Sequence, residues 1–259
     1  YLNYRGWYGV SGFGNSSVDA ASSAGFKLPF ATIITCGTGS FQSESQCLSE
    51  KFFRAGTAQS PKGAVACVGT ATTGTHTLFN NAVNIGIYSG LFANGLQTAG
   101  EALVSGKANL FLNYPSSYFD NWLEIFATWN NLIGDAATSL WTDSPKIMRV
   151  DHENSINIGD NFISIEASEA SYPIIGATVT IMGAYCSDGI SSNQETCEEN
   201  QSIWYLDNSF YKMVYTDELG NAHINFDSST FENLNAIELT VTKYGYKPLA
   251  EYNLCSYIG

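Results

Sequence analysis

Apolar residues in the first part of the chain come in short runs separated by longer amphipathic stretches. Two of these runs, PFATIIT at 29–35 and PKGAVACVG at 61–69, are apolar on both faces, which is typical of parallel strands covered by helices. Between them, SESQCLSEKFFRAG at 43–56 has helical periodicity, and Gly56 is a helix stop. This region therefore predicts a strand, a helix and a second strand in succession.

The same alternation continues on both sides of that region. YLNY at the start predicts a strand, and TSLWT at 138–142 predicts a last edge strand. From Leu78 to Leu132 the periodicity is helical. Breaks in this helical stretch are predicted at Gly95, Gly106 and Pro115. Strands that alternate with helices indicate an α/β fold with a parallel sheet.

After Pro145 the periodicity changes to two, as in half-buried strands. The alternating segments are INIGDNFISIEAS, GATVTIMGAY, YKMVYTDELGNAHINFD and AIELTVTKYGYKP. One of them predicts a hairpin with Gly220 and Asn221 near its tip, and no helix of any length is evident. We therefore expect two domains: an α/β domain over 1–148 and an all-β, immunoglobulin-like sandwich over 149–259.

Composition narrows the possible partners. Only 14% of the 259 residues are charged, and the net charge is −13 without a visible basic patch, so nucleic acid is not an expected partner. No apolar run reaches the roughly 18 residues of a membrane helix, so no transmembrane segment is predicted. A neutral surface rich in hydroxyl groups suits a secreted protein. Because the chain begins at Tyr1, inside a strand, we also expect a missing upstream part of the same protein.

The six cysteines are too sparse for a dense disulfide framework. Cys186 and Cys197 bracket the polar loop CSDGISSNQETC and predict a local disulfide, which favours an oxidising compartment. Cys47, at the start of a helix, is expected to be a free packing thiol, with pairing to a neighbour as the alternative. Cys67 is expected to be buried in its strand, and the partner of Cys255 stays open. No metal site is predicted, because there is no C-x-x-C pair and the three histidines lie far apart in sequence.

Cys36 ends the predicted strand 29–35, in the sequence ATIITCGTGSF. Ligands of open α/β sheets bind at the carboxyl ends of the strands, where this thiol is expected. Gly37 and Gly39 leave the thiol accessible and let a substrate backbone come close. A thiol at this place is a nucleophile if a base or a helix dipole activates it. The alternative is a packing cysteine followed by an ordinary turn.

Four segments together resemble the catalytic domain of the gingipain-type cysteine peptidases, which are caspase-like, clan CD enzymes secreted by bacteria or held at their surface. These segments are ITCGTGSF, CLSEKFFRAG, PKGAVACVGTATTGTH and NLIGDAATSLW. The residues that match the family pattern in order are Cys36, Gly39, Phe41, Cys47, Glu50 and Arg54. The resemblance covers most of 1–148 and, more loosely, 149–259, because these enzymes carry an immunoglobulin-like domain after the catalytic one.

This resemblance implies a protein or peptide substrate and makes Cys36 the nucleophile. Calcium is commonly bound in the family, but no acidic loop with ligand spacing identifies a site in this sequence. Glu50 and Arg54 are expected to form a helix-surface pair at i, i+4. Asp135, in the family's Gly-Asp segment, is expected to cap a turn.

The catalytic base of the family is a histidine in an Asn-Tyr-x-Gly-His-Gly segment, which is NYRGWYG in this chain. Trp7 stands where the histidine is expected, and Tyr8 replaces the glycine whose N–H helps to hold the oxyanion. An indole N–H only donates, so Trp7 is no general base. Together with Gly37, these two residues are placed at the oxyanion and substrate pocket.

His76 is the only other candidate base before residue 148. It follows the strand 61–69 by about seven residues, so its loop is expected to open at the same edge of the sheet as Cys36. The family has a tryptophan here that lines the substrate pocket, so His76 is either a replacement base or a wall residue. His152 and His223 belong to the second domain or its linker and are expected to be solvated.

Two functions follow. In the first, the chain is part of a secreted or surface-bound cysteine endopeptidase in which Cys36 attacks a peptide carbonyl, and His76 or an upstream group is the base. In the second, it is a catalytically inactive descendant that serves as a surface structural or adhesion component. The fold does not decide between them, because function is set by the site.

Overall fold

The computed structural model describes residues 2–4, 13–21, 27–57, 59–114, 120–153, 161–191, 193–227 and 236–252. The chain forms two compact units, Tyr1–Thr142 and Asp143–Gly259. The division lies a few residues before the boundary predicted between 148 and 149.

Strands and helices alternate through the first unit. Its elements are β1 (Leu2–Tyr4), α1 (Asn15–Ala20), β2 (Phe30–Ile33), α2 (Leu48–Phe53), β3 (Ala66–Thr70), α3 (Thr77–Phe92), α4 (Ala99–Asn113), α5 (Asp120–Trp129) and β4 (Asn130–Ile133). The sheet order is β1-β2-β3-β4, in which the first three strands are parallel and β4 is antiparallel to β3. The predicted parallel sheet is therefore mixed at one edge.

Side chains of β2 and β3 alternate between two hydrophobic cores. Phe30 and Val68 belong to the core formed with α3, α4 and α5. Ile33 and Cys67 belong to the core that contains residues of α1 and α2. Helices on both faces explain why these strands are apolar at successive positions.

Three local predictions for this unit are wrong. The helix predicted over 43–56 is confined to α2, which begins after Cys47, because the backbone N–H of Cys47 donates to Glu50 Oε2 at 3.0 Å. The predicted strand 138–142 makes only an isolated bridge, between Ser139 and Thr98. The edge strand is instead β4. Its residues 130–132 were predicted to be helical, as the end of the stretch from Leu78 to Leu132.

Gly95 separates α3 from α4 as predicted, with φ of +68°, but Gly106 lies inside α4. A Cβ at Gly106 would lie 2.8 Å from Val83 O and 2.8 Å from Ile87 Cγ1 of the neighbouring helix. The glycine therefore permits close packing of α3 against α4 rather than breaking the helix. Pro115 lies outside the described residues.

The second unit is a sandwich of two mainly antiparallel sheets. Its elements are β5 (Arg149–His152), β6 (Phe162–Glu169), β7 (Tyr172–Pro173), β8 (Thr178–Cys186), α6 (Gln194–Glu199), β9 (Trp204–Tyr215), β10 (Asn221–Asn225), β11 (Ala236–Thr242) and β12 (Leu249–Tyr252). One sheet has the order β10-β6-β5, with β7 also paired to β6, and the other has the order β12-β11-β8-β9. Residues of both sheets, such as Ile165 and Ile181, form one core.

Alternating burial along these strands agrees with the predicted period of two. The predicted hairpin is wrong, because β9 and β10 belong to different sheets; the turn that contains Gly220, with φ of +80°, connects one sheet to the other. The expectation of no helix is wrong for the polar loop, because α6 forms inside it. A disulfide joins Cys186 at the end of β8 to Cys197 on this helix.

Candidate active site

Cys36 lies in a tight turn that begins just after β2 ends at Ile33. Gly37 has φ of +70°, a conformation that residues with a Cβ rarely adopt. Its N–H donates to Thr72 O at 2.7 Å, and the N–H of Gly39 donates to Thr70 O at 3.0 Å. The turn is thereby fixed to the chain that follows β3 at the carboxyl edge of the sheet.

Close packing against the backbone of β3 also holds this turn. A Cβ at Gly39 would lie 2.6 Å from the carbonyl carbon of Gly69 in β3, so the two backbones are in contact. The Thr38 hydroxyl donates to Thr35 O at 2.9 Å, and Thr38 O accepts from the N–H of Ser49 in α2 at 2.9 Å. The Cys36 turn is therefore fixed by its own hydrogen bonds, by β3 and by α2.

The Cys36 side chain is half-buried. Its Sγ atom lies 3.0 Å from Thr75 Oγ1, and either atom can be the donor. A hydroxyl can orient a thiol or donate to a thiolate, but it is too weak a base to remove the thiol proton at neutral pH. The structure therefore gives Cys36 a hydrogen-bond partner that is not a general base.

His76 is the residue after Thr75, and it is the N-cap of α3. Its Nδ1 accepts a hydrogen bond from the backbone N–H of Leu78 at 3.2 Å. A neutral imidazole has one acceptor nitrogen, so the proton of this ring is on Nε2. The lone pair that a general base would use is occupied by helix capping, and the exposed ring contacts Phe79 at 5.8 Å between centroids.

Cys47 and Cys67 are both free thiols, and both are buried, as expected from their positions. Burial raises the pKa of Cys47 and raises the pKa of Cys67 to about 12. Desolvation disfavours the thiolate in both, so these cysteines are packing residues. Cys36 is the only half-buried free thiol in the described part of the chain.

Several other predicted residues have different partners or positions. The Glu50 carboxylate accepts from the N–H of Cys47, and no ion pair with Arg54 occurs among the described residues, so the predicted helix-surface pair is wrong. Asp135 Oδ1 accepts from the N–H of Ala137 at 2.9 Å and caps a turn, as expected. Trp7 and Tyr8 lie outside the described residues.

Two further expectations concern cysteine pairing and histidine exposure. The expectation for Cys255 also falls on residues that the structure does not describe. His223 is exposed, as expected, and its Nδ1 lies 2.9 Å from Ser164 Oγ. His152 was also expected to be solvated, but it is half-buried.

No three His, Cys, Asp or Glu side chains of the described residues are grouped closely enough to hold a metal ion. The described residues therefore offer no cluster of carboxylates that fits the calcium site the resemblance suggests, and no step is assigned to one.

Sequence reasoning missed Thr75 as the partner of Cys36. The available signal was the hydroxyl-rich run TATTGTH between β3 and α3, because it returns along the same sheet edge as the Cys36 turn. Sequence reasoning also missed Gly69, whose role depends on a contact with another turn that one sequence does not reveal.

A family profile described as "Peptidase family C25" matches residues 1–141. The chain belongs to peptidase family C25. This match covers more than half of the chain and the whole of the Cys36 site. No curated protein sequence matches the chain significantly.

Two solved structures of gingipain R are similar to this chain across both of its units. The crystal structure of this Arg-specific cysteine proteinase aligns over 98% of the chain at 20% identity, with a TM-score of 0.64. A complex of the pro- and mature domains of RgpB from Porphyromonas gingivalis aligns over 98% at 19% identity, with a TM-score of 0.65. The chain spans only 52% and 53% of those structures, and the similarity establishes the fold.

In the part of the chain that the structure describes, no helix is both long enough and apolar enough to cross a membrane.

Proposed function

We propose that this chain is a non-hydrolytic member of peptidase family C25, which keeps the nucleophile position at Cys36 but, among the described residues, has no general base beside it. We further infer that its two units correspond to a caspase-like catalytic domain and an immunoglobulin-like domain. The single observation that carries the proposal is the position of His76, whose Nδ1 caps α3 and is not available to the thiol.

Two other observations support the loss of hydrolysis. Cys36 Sγ is hydrogen-bonded to the hydroxyl of Thr75, which does not accept the thiol proton at neutral pH. Trp7 occupies the sequence position of the family histidine, and an indole has no basic lone pair. A Cys–His pair without its histidine loses the activation of the thiolate.

The chain then serves as a secreted or surface-held structural or adhesion component. A disulfide in the second unit is compatible with an oxidising environment, and the low proportion of charged residues suits an extracellular surface. The close packing around the Cys36 turn is explained by fold stability alone, since an inactive descendant still needs a tightly packed sheet edge.

A second candidate is a cysteine endopeptidase, which is the activity of the family. One observation favours it: Thr75, the partner of Cys36, is the residue immediately before His76. If His76 left the helix cap, its imidazole would take the thiol proton and the sulfur would add to the peptide carbonyl. The C–N bond would then break as the proton passes to the leaving amine, and water would hydrolyse the resulting thioester to the acid and the free thiol.

The two candidates are separated with an acyloxymethyl-ketone probe and a mixture of fluorogenic peptides on the intact protein. We expect no peptide hydrolysis above that of Cys36→Ala, and no probe adduct on Cys36 by intact mass. A peptide-dependent turnover that both Cys36→Ala and His76→Asn abolish would establish the endopeptidase instead. His76→Asn is the matched variant, because asparagine keeps a helix cap but is no base.

A further inference from the structure

The two units carry very different net charges. The first unit contains 7 acidic and 6 basic residues, whereas the second contains 17 acidic and 5 basic residues, so their net charges are −1 and −12. Almost all of the negative charge of the chain therefore belongs to the β-sandwich, which contains none of the Cys36 site.

β9 is the longest strand of this unit and ends one of its sheets. It pairs along one side with β8, and no strand of the described residues pairs with its other side. The remaining terminal strands are short: β5 and β12 have four residues, β10 has five, and the residues of β5 include an Arg149–Asp151 ion pair at 2.8 Å. Charge and shortness protect such edges from further pairing, and β9 is not short.

Apolar and aromatic side chains occupy the exposed face of β9. Tyr211, Met213 and Tyr215 alternate along the strand and are 48%, 47% and 63% exposed. A register shift opposite Met182 and Gly183 separates this stretch from Tyr205, whose ring stacks on Tyr185 at 5.2 Å. Solvent-facing positions of a sandwich are usually polar. The exposed apolar side chains of this face are therefore typical of a surface that binds another molecule.

Acidic residues are found at both ends of the strand. The exposed Glu195, Glu198 and Glu199 belong to α6, which contacts β9. Asp217 and Glu218 follow the end of the strand after one intervening residue, in the connection to β10. Lys212 is the only basic residue of β9 itself. A second copy of this unit would bring like charges together, whereas a basic segment would be attracted.

We propose that the open edge of β9, along Tyr211–Tyr215, binds an extended segment of a partner protein in which basic and apolar residues alternate. The segment adds a strand to the sheet through main-chain hydrogen bonds, as in other cases of strand addition. Its apolar side chains cover Tyr211, Met213 and Tyr215, and its basic side chains lie near Asp217 and Glu218 beyond Tyr215. This surface is independent of Cys36 and of any hydrolysis.

The probe for this surface is a fluorescent peptide of alternating lysine and valine, titrated into the intact protein and followed by anisotropy. We expect saturable binding that weakens as salt is raised. Peptide binding is expected to slow hydrogen exchange of backbone amides within Tyr211–Tyr215. A peptide of alternating glutamate and valine is expected not to bind. A lysine–valine peptide N-methylated on its strand-forming amides is expected to bind at least about tenfold more weakly.

The matched variants are Tyr211→Thr with Tyr215→Thr, and Tyr172→Thr as the control. Threonine keeps strand propensity, and Tyr172 is a 77% exposed tyrosine of β7 in the other sheet. We expect the double variant to weaken peptide binding about tenfold and the control to leave it unchanged. Equal binding of the N-methylated peptide, or hydrogen-exchange protection elsewhere, would overturn the proposal. So would binding of a neutral oligosaccharide that depends on Tyr211 and Tyr215, with no binding of the peptide.

Discussion

The Cys36 turn and the start of α3 are two regions on which a peptidase site would depend, and they differ in what their residues do. The Cys36 turn is held by Gly37, Gly39 and Thr38, and it presents a half-buried thiol. The start of α3 uses its only basic side chain, His76, as a helix cap. A fold can therefore keep the backbone that positions a nucleophile without keeping a base that activates it.

The largest expected effect is a difference in reactivity among the free thiols. Cys67 is buried and its pKa is raised to about 12, so at pH 8 only about one molecule in 10⁴ has a thiolate there. We expect iodoacetamide to label Cys36 in the folded protein, whereas Cys47 and Cys67 react only after unfolding, by peptide mass spectrometry. Labelling of Cys67 at the rate of Cys36 would contradict the packing described for β3.

The second effect is on the stability of the first unit, and it depends on the backbone contact between Gly39 and Gly69. Gly39→Ala places a Cβ within 3 Å of three backbone atoms of Gly69 and Thr70, so we expect a loss of about 2–3 kcal/mol in the free energy of unfolding. Urea denaturation measures this loss for the first unit. Gly74→Ala is the control, because its Cβ meets no atom closer than 3.7 Å, and it should change stability by less than about 0.5 kcal/mol.

A smaller effect distinguishes the two roles of His76. His76→Ala removes the acceptor for the N–H of Leu78 and should cost about 1 kcal/mol of stability. His76→Asn restores a capping acceptor, so its urea midpoint is expected to return close to that of the unchanged protein. An asparagine variant as unstable as the alanine variant would exclude capping as the contribution of this residue.

The smallest effect is a loss of local stability at low pH in the loop that the Cys186–Cys197 disulfide closes. The Asp188 carboxylate accepts hydrogen bonds from the Ser191 hydroxyl and from the N–H groups of Ser191 and Ile190, and these bonds lower its pKa to about 2. The lowered pKa contributes stability above the unfolded value near 4, which is lost as pH falls from about 4 towards 2. Protection of the Ile190 and Ser191 amides, measured against the intrinsic exchange rate at each pH, should fall over this range. Asp188→Asn should remove most of that acid dependence, and an unchanged dependence would contradict this assignment.

Much of the fold could be predicted from periodicity. The strands β2 and β3 are continuous apolar runs because they face two cores, and the sandwich strands alternate because one face is solvated. Element ends were less predictable, because α2 starts at the Cys47 cap and Gly106 serves helix packing. Both depend on contacts that propensity alone does not contain.

The candidate site was predicted in part. The position of Cys36 at the carboxyl edge follows from strand order and from the family resemblance. The hydrogen bond to Thr75 and the cap made by His76 depend on side-chain rotamers in one loop. A sequence places His76 near Cys36 but does not say which group its nitrogen faces.

The most direct test of the account is the rate at which Cys36 is alkylated between pH 6 and 9 in the unchanged protein and in His76→Asn. Peptide mass spectrometry follows Cys36 specifically, and Cys36→Ser gives the background. Because His76 caps α3 and does not act on the thiol, the two rate profiles should coincide at every pH. A neutral-pH rate that falls about tenfold or more in His76→Asn would contradict the central claim and establish His76 as the base of Cys36.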